Sequence, residues 1–190
     1  MEYKKSIIFV RDINLLFFKK DEAIRLAFCL FVALAFSAMA SHAASDEDFQ
    51  SFLKKFTSSA SFQYSRLKFP MKSPITLLDD DGETEKTFSF TKEKWPLLDK
   101  ESLAEGKITE EEGGIYISKY TVNEPAHKEF EAGYEESEAS LRVVFELIAG
   151  KWYVTDCYSD WYNLDLPVSE LNETIRSVQE ENRAFQKANP

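Results

Sequence analysis

The chain has 190 residues, with 23 Lys and Arg against 33 Asp and Glu, and a formal net charge of −10 at pH 7. An acidic surface of this kind repels polyanions at long range, which argues against nucleic acid and anionic membrane surfaces as partners. The length suits one domain, or one domain with an appendage.

The first 43 residues have the order of a secretory signal peptide. Basic residues come first, then the apolar run LAFCLFVALAF at 26–36, then the small residues of SAMASHAAS at 37–45. The apolar run is shorter than the roughly 20 residues that span a bilayer. We therefore predict cleavage between Ser41 and Asp46 and a periplasmic or secreted mature domain at 44–190. The basic region is long for a signal peptide, so a later true start, or a segment that stays attached, remains open.

The predicted mature chain is more acidic and has a single cysteine. Cleavage leaves 17 basic and 29 acidic residues, a net charge of −12, and only Cys157. An intramolecular disulfide is then excluded, so stability has to come from a hydrophobic core, for which the length is ample.

The mature chain is predicted to open with a helix over residues 45–57. Ser45 begins the sequence SDED, which fits a capping box. The apolar residues that follow recur at i, i+3, i+4 and i+7 and form one buried stripe: Phe49, Phe52, Leu53 and Phe56. After a polar break, FQYSRLKFP is interpreted as a helical turn leading into a strand that Pro70 ends.

Strands dominate the middle of the chain. An Asp-Gly turn at 81–82 predicts a hairpin between Ile75–Leu78 and the alternating Phe88 and Phe90. A strand follows at 113–122, and the segment NEPAHKEFEAGYEESEAS is interpreted as a polar segment. A long hairpin then spans residues 141–158.

A closing helix is predicted beyond Pro167. Ser169 is its expected cap, and its apolar stripe is thin: Leu171, Ile175, Val178 and Phe185. Helices at the two ends with antiparallel strands between them indicate an α+β domain, in which a curved antiparallel sheet packs on the N-terminal helix.

The hairpin VFELIAGKWYVTDCYSDWYN permits two turns. A two-residue Ala149-Gly150 turn places Asp156 opposite Val143, on the apolar face, where burial raises the pKa of a carboxyl as a general base requires. A three-residue loop ending at a left-handed Gly150 places Asp156 opposite Arg142 in an ion pair. We favour the three-residue loop, because the other turn puts Ala149 at positive φ. In both registers one face carries Trp152, Val154, Asp156, Tyr158 and Asp160.

The expected ligand-binding residues surround these acids. Arg66 lies among apolar residues and needs a carboxylate, which Asp156 or Asp160 could supply. Trp95 either plugs the core, which we favour, or lines a cavity mouth. The full candidate set is Arg66, Trp95, Trp152, Asp156, Tyr158 and Asp160, with Asp156 as the one weak catalytic candidate.

No metal site is predicted from the acidic and histidine-containing stretches. DDDGETE at 79–85 lacks the ligands that an EF-hand loop requires at Leu77 and Phe88, so it is interpreted as a solvated hairpin tip. His127 has no second histidine or cysteine nearby and is expected on a surface loop.

The stretch FELIAGKWYVTDCYS resembles the late strands of the nuclear transport factor 2-like superfamily. Together with FQSFLKKFTSSASFQYSRLKFP and FTKEKWPLLD, it also resembles an exported bacterial group within that superfamily, the domain of unknown function 4348. The resemblance covers most of residues 46–160 and implies a cone-like half barrel closed over an N-terminal helix. The superfamily contains isomerases, cyclases, dehydratases and binding modules, so the resemblance does not decide the activity.

The expected function is that of an exported, non-catalytic binding or accessory module without a cofactor. Its partner is a small molecule or a protein, and a homodimer through the sheet is open; an aromatic-lined concave face is the default ligand site. The alternative is a small cofactor-free isomerase or cyclase with Asp156 as general base.

Overall fold

The computed structural model describes residues 45–111 and 114–189. The predicted signal peptide lies outside the described residues, and Asp46–Pro190 forms one compact unit. Its helices are α1 (Phe49–Phe56), α2 (Ala60–Ser65) and α3 (Leu171–Ala188), and its strands are β1 (Ile75–Leu78), β2 (Glu85–Phe88), β3 (Ile108–Glu111), β4 (Gly114–Asn123), β5 (His127–Tyr134), β6 (Ala139–Ile148) and β7 (Lys151–Ser159).

The strands form two antiparallel sheets. The hairpin β1–β2 stands by itself, as the turn at 81–82 predicts, and β3 to β7 follow one another in a five-stranded sheet. The α+β class with a helix ahead of antiparallel strands is confirmed. Within the described part of the chain, every helix is too short or too polar to cross a bilayer.

Helix α1 begins later than predicted. Its cap is Asp48, whose carboxylate accepts a hydrogen bond from the Ser51 backbone N–H at 2.8 Å, so the assignment of Ser45 as the cap is wrong. An ionised carboxylate is at least as good an acceptor here as a hydroxyl. The predicted stripe is confirmed, since Phe49, Phe52 and Phe56 are buried.

Strand β5 lies within the segment that we interpreted only as polar, without assigning a strand to it. Phe130 and Ala132 lie on its buried side, while Glu129 and Glu131 alternate with them. The sequence does alternate with a period of two, but charged residues outnumber apolar ones and hide the pattern.

The β6–β7 turn is the two-residue turn, so the favoured three-residue loop is wrong. Ala149 and Gly150 have φ of 50° and 76°, and Leu147 pairs with Trp152 across the turn. Two positive φ values fit a type I′ turn, which suits the twist of a hairpin. The cost of a left-handed alanine is offset because this turn keeps the large apolar residues of both strands in one layer.

Replacement of Ala149 by Asn is expected to stabilise the protein. Asn tolerates positive φ better than Ala, so the gain should be about 0.5–1 kcal/mol in the free energy of unfolding, measured by urea titration. Gly150→Ala is the control and should destabilise the protein, because it adds a Cβ at positive φ. An Ala149→Asn variant that is no more stable than the parent would contradict this account of the turn.

A β-bulge at Thr155 changes the face on which the later residues of β7 lie. Val154 pairs with Phe145, but Asp156 pairs with Val144, so Thr155 is an extra residue. Beyond the bulge Cys157 faces the core, and Asp156 lies on the opposite face. The prediction that Trp152, Val154, Asp156, Tyr158 and Asp160 share one face is therefore wrong.

Two buried amides hold the segment 95–98, which belongs to no sheet. Gln63 of α2 accepts hydrogen bonds from Trp95 Nε1 and Leu98 N at 2.9 Å, and its amide nitrogen donates to the carbonyls of Phe56 and Leu98. From the other side, Asn182 of α3 accepts from Leu97 N at 2.7 Å and donates to the Trp95 carbonyl at 2.7 Å. The two side chains thus replace the backbone partners that a strand would have had.

Helix α3 packs through the predicted stripe, in which Asn182 continues the spacing of Val178 and Phe185. Leu171 and Val178 are buried, and so is Asn182. Ser169 is not the cap, because it lies in a 3₁₀ turn, Val168–Glu170, ahead of the helix.

Candidate functional site

A large cleft lies between α1 and the loop at 99–105, and we call it the α1 cleft. It has a volume of about 950 Å³. Leu103 is buried, and Leu53, Ala104 and Tyr120 are half-buried, whereas the charged lining residues are exposed. A partly apolar cleft with few inward polar groups is typical of a small-ligand site.

Ser118 of β4 fixes the wall of this cleft. Its side chain is buried, and its hydroxyl donates to the Ala104 carbonyl at 2.6 Å and accepts from Lys107 N at 3.0 Å. Two backbone hydrogen bonds add to these contacts: Gly106 N donates to the Ser118 carbonyl at 2.8 Å, and Ser118 N donates to the Lys107 carbonyl at 3.0 Å. The loop is therefore held to the sheet, and the cleft does not need a ligand to form.

Tyr120 contributes a buried polar group to the cleft that lacks a hydrogen bond among the described residues. Its ring packs edge-on against Phe49 and Phe130, with centroids 5.8 and 5.5 Å away. Its hydroxyl is buried and has no hydrogen-bond partner among the described residues. Burial, and then the negative charge of Glu105, raise the pKa of Tyr120. The hydroxyl is therefore a neutral donor without an acceptor among the described residues.

Arg66 binds a carboxylate, but a different one from those predicted. Its two terminal nitrogens each lie 2.9 Å from a carboxylate oxygen of Glu47, and one also donates to the Trp152 carbonyl. The expected pairing with Asp156 or Asp160 is wrong. Glu47 also accepts from Trp152 N at 3.0 Å, so this cluster ties the start of the domain to β7.

Asp156 is held in a structural network. Its carboxylate accepts from Ser73 N at 2.9 Å, from the Ser73 hydroxyl at 2.7 Å and from Cys157 N at 3.0 Å. Arg142 lies 3.6 Å from the same carboxylate. The ion pair that the three-residue loop implied thus exists, although the bulge, rather than the loop, brings the two residues onto one face. These contacts occupy both carboxylate oxygens, which a general base would need for its substrate.

The remaining candidate residues do not converge on one site. Trp95 is fully buried, which confirms the core interpretation, and Trp152 is buried against Phe49. Tyr158 lines a small cleft with Cys157, where burial raises the pKa of both groups. Asp160 begins a 3₁₀ turn after β7.

The acidic hairpin and the histidine make local contacts. Asp81 accepts from Glu83 N and from the Thr84 backbone and hydroxyl, and these bonds lower its pKa to about 2. His127 opens β5 rather than lying in a loop, and its Nε2 lies 2.9 Å from Glu129. Among the described residues no His, Cys, Asp and Glu cluster is suited to hold a metal.

The sequence reasoning missed the residues that build the α1 cleft. Leu103 and Ala104 lie in a stretch without periodicity, so nothing marks them locally. Ser118 and Tyr120 do lie two residues apart in the predicted strand at 113–122, which places them on one face. That spacing was the available signal for an inward tyrosine.

Comparison with known proteins gives close matches of the fold and of the sequence. A protein-family model matches residues 47–186. A cystatin-like protein from Bacteroides caccae is 66% identical with a TM-score of 0.74, and the match covers 77% of this chain and 98% of that one. No curated protein matches the chain.

Two structures determined by NMR are equally similar. A protein from Bacteroides uniformis is 73% identical with a TM-score of 0.73, covering 77% of this chain and 99% of that one. A protein from Bacteroides ovatus is 69% identical with a TM-score of 0.71, covering 77% and 95%.

Proposed function

The chain belongs to the same protein family as the cystatin-like protein from Bacteroides caccae, and we propose that it is a non-catalytic binding module that works outside the cytoplasm. The observation that carries this proposal is the preformed α1 cleft of about 950 Å³, with the unpartnered hydroxyl of Tyr120. The preferred ligand is a small molecule, and a protein segment is the second possibility.

The lining suggests what kind of molecule would fit. Leu53, Leu103, Ala104 and Tyr120 offer apolar contact, so the body of the ligand is apolar. A polar atom on that body can pair with the Tyr120 hydroxyl, which stabilises the complex because the hydroxyl is otherwise buried without a hydrogen bond.

The alternative, a small isomerase or cyclase that uses Asp156 as base, has less support. The Asp156 carboxylate is occupied by Ser73, Cys157 and Arg142, and it does not line the α1 cleft. A base needs a free oxygen within hydrogen-bond reach of its substrate.

The proposal includes a finer fold assignment and export. We assign the domain to the nuclear transport factor 2-like superfamily, with a cone-like half barrel, and to the domain of unknown function 4348. Its support is the helix ahead of the antiparallel strands and the sequence Gly150-Lys151-Trp152, which runs from the turn between the last two strands into β7. Export is supported by the signal-like residues 1–43, and N-terminal sequencing of exported protein that finds Met1 intact would contradict it.

Occupation of the α1 cleft can be tested with a fragment library of phenols, aliphatic alcohols and aromatic ketones. Amide and methyl NMR shifts are expected to move around Leu53 and Leu103. Ala104→Phe fills the cleft and should abolish these shifts, while Ala184→Phe, on the exposed side of α3, should leave them unchanged. A library that moves no shifts in the cleft, or shifts that survive Ala104→Phe, would contradict a small-ligand site.

Tyr120→Phe is expected to stabilise the ligand-free protein while weakening ligand binding. The change removes a buried hydroxyl with no partner among the described residues, so the free energy of unfolding should rise by about 1–2 kcal/mol. Tyr162→Phe is the matched control. It should lower the free energy of unfolding, because the Tyr162 hydroxyl donates to the Lys94 carbonyl at 2.9 Å and this hydrogen bond is lost. Both are measured by chemical denaturation. Destabilisation by Tyr120→Phe would show that the hydroxyl is satisfied.

A further inference from the structure

A second cleft lies on the other side of the segment 95–98, against α3, and we call it the α3 cleft. Its volume is about 350 Å³. Its aromatic walls are Tyr116, Trp161 and Phe185, and Leu141 and Val178 add apolar surface. It shares only Asp99 with the α1 cleft, so it is a separate site.

All charged residues of the α3 cleft are acidic. They are Asp99, Asp160 and Glu181, and no Lys, Arg or His is among the described residues that line it, although Lys107 Nζ lies 5.5 Å from the ring centroid of Tyr116. The α1 cleft differs, because Lys54 and Lys100 line it beside its acids. In the described part of the chain, none of the three carboxylates of the α3 cleft forms an ion pair.

A shallow neighbouring cleft extends the same character around Trp161. It shares Asp160 and Trp161 with the α3 cleft, and its other charged residues are Asp165, Glu170 and Glu173. The half-buried indole of Trp161 therefore stands between two surfaces that carry only negative charge. Asp160 is exposed at their common rim, but the surrounding protein partly desolvates its carboxyl and raises its pKa.

We propose that the α3 cleft binds an organic cation, an amine in its protonated form attached to an apolar or aromatic body. Aromatic faces attract cations through the ring quadrupole, and carboxylates at the rim supply the opposite charge. A compact divalent ion fits poorly, because these carboxylates are too dispersed to form a metal-binding cluster in the described residues. The proposal is independent of the α1 cleft and stands or falls separately.

The test compares three probes of one shape that differ in charge: 3-phenylpropylammonium, 3-phenylpropanol and 3-phenylpropionate. They are titrated at physiological ionic strength and neutral pH, and the indole N–H signal of Trp161 is followed by NMR. We expect the ammonium compound to bind most tightly and the carboxylate not to bind. The shifts should centre on Trp161 and leave Leu53 and Leu103 unchanged.

Glu181→Gln and Glu180→Gln form a matched pair for the role of charge. Both remove one negative charge from adjacent positions of α3, but only Glu181 lines the cleft, while Glu180 pairs with Arg183 at 3.6 Å. Glu181→Gln and Asp160→Asn should each weaken binding of the ammonium compound about three- to fivefold, as expected for a partly exposed charge contact. Glu180→Gln should change the affinity by less than about twofold, because salt screens an exposed charge that lies outside the cleft.

Each contrary result overturns the proposal. Equal affinity for the ammonium compound and the alcohol would make the site merely apolar. If Glu180→Gln and Glu181→Gln lower the affinity for the ammonium compound equally, the attraction comes from the net charge of the protein and not from the α3 cleft. Tighter binding of Ca²⁺ or Mg²⁺ at Trp161 than of the ammonium compound would assign the cleft to an inorganic ion, and an unmoved Trp161 signal would remove the site.

Discussion

Gln63→Leu is expected to destabilise the protein by at least about 4 kcal/mol, because the partners of a buried amide lose their hydrogen bonds at a cost of roughly 1–3 kcal/mol each. Gln63 is 0% exposed and makes four hydrogen bonds, to the backbone of Phe56 and Leu98 and to the indole of Trp95. Leu has a similar volume, so the loss would come from polar groups and not from a cavity.

The measurement is the free energy of unfolding from urea or guanidinium titration. Gln50→Leu applies the same chemical change at an exposed position of α1 and should stay within about 0.5 kcal/mol of the parent. If Gln63→Leu does not fold, Trp95→Phe tests the network in a different way, since it removes the Nε1 donor together with one ring of the buried indole. Gln63→Leu and Gln50→Leu with equal stabilities would show that the segment 95–98 does not depend on Gln63.

A hydrogen-bond network of this kind is hard to predict from sequence, although the spacing of residues in the two helices does indicate that Gln63 and Asn182 are buried. Ala60 and Gln63 are spaced i and i+3, so Gln63 lies on the inward face of α2. Asn182 continues the stripe of α3 in the same way. Periodicity places both residues inside, but only the path of the segment 95–98 between the two helices explains why amides, rather than apolar residues, are needed there.

The local patterns that were predicted correctly are those decided by neighbouring residues. The stripe of α1 and the Asp81-Gly82 hairpin depend on spacings of a few residues, and both appear in the structure. The placing of Asp156 on one face with Trp152 and Val154 was wrong because a one-residue bulge at Thr155 reverses the sides of the sheet, and nothing in the strand sequence requires a bulge. The partner of Arg66 was wrong because Glu47 is distant in sequence and reaches it only after α1 has docked.

In the α1 cleft too, one part could be predicted from neighbouring residues and the other part depends on contacts that are distant in sequence. Its sheet residue Tyr120 follows from strand alternation, but its opposite wall is the irregular loop at 99–105. That loop is positioned by hydrogen bonds to Ser118 and not by an apolar pattern of its own. From the sequence, charge argues against nucleic acid and anionic membranes as partners. The position of the cleft could not be predicted in this way, because it depends on the course of the loop at 99–105.

Phe52→Ala carries the other large expected effect and tests whether α1 covers the core. The Phe52 side chain is 0% exposed, and its ring lies 5.3 Å from that of Phe56 and 6.0 Å from that of Phe145 in β6. Truncation removes the apolar contacts of a full ring and leaves a cavity between helix and sheet. The expected loss is about 3–5 kcal/mol. For a domain of this size that corresponds to a fall in Tm of roughly 10 °C or more.

Lys55→Ala separates docking from helix propensity, because it introduces the same residue at an exposed position of the same helix. It should leave the Tm almost unchanged. Since α1 also forms one wall of the α1 cleft, Phe52→Ala should weaken fragment binding there, even at temperatures where the variant is folded. A Tm for Phe52→Ala equal to that of Lys55→Ala would mean that α1 is not docked on the sheet, and the α1 cleft would then lose the wall on which the proposed binding function depends.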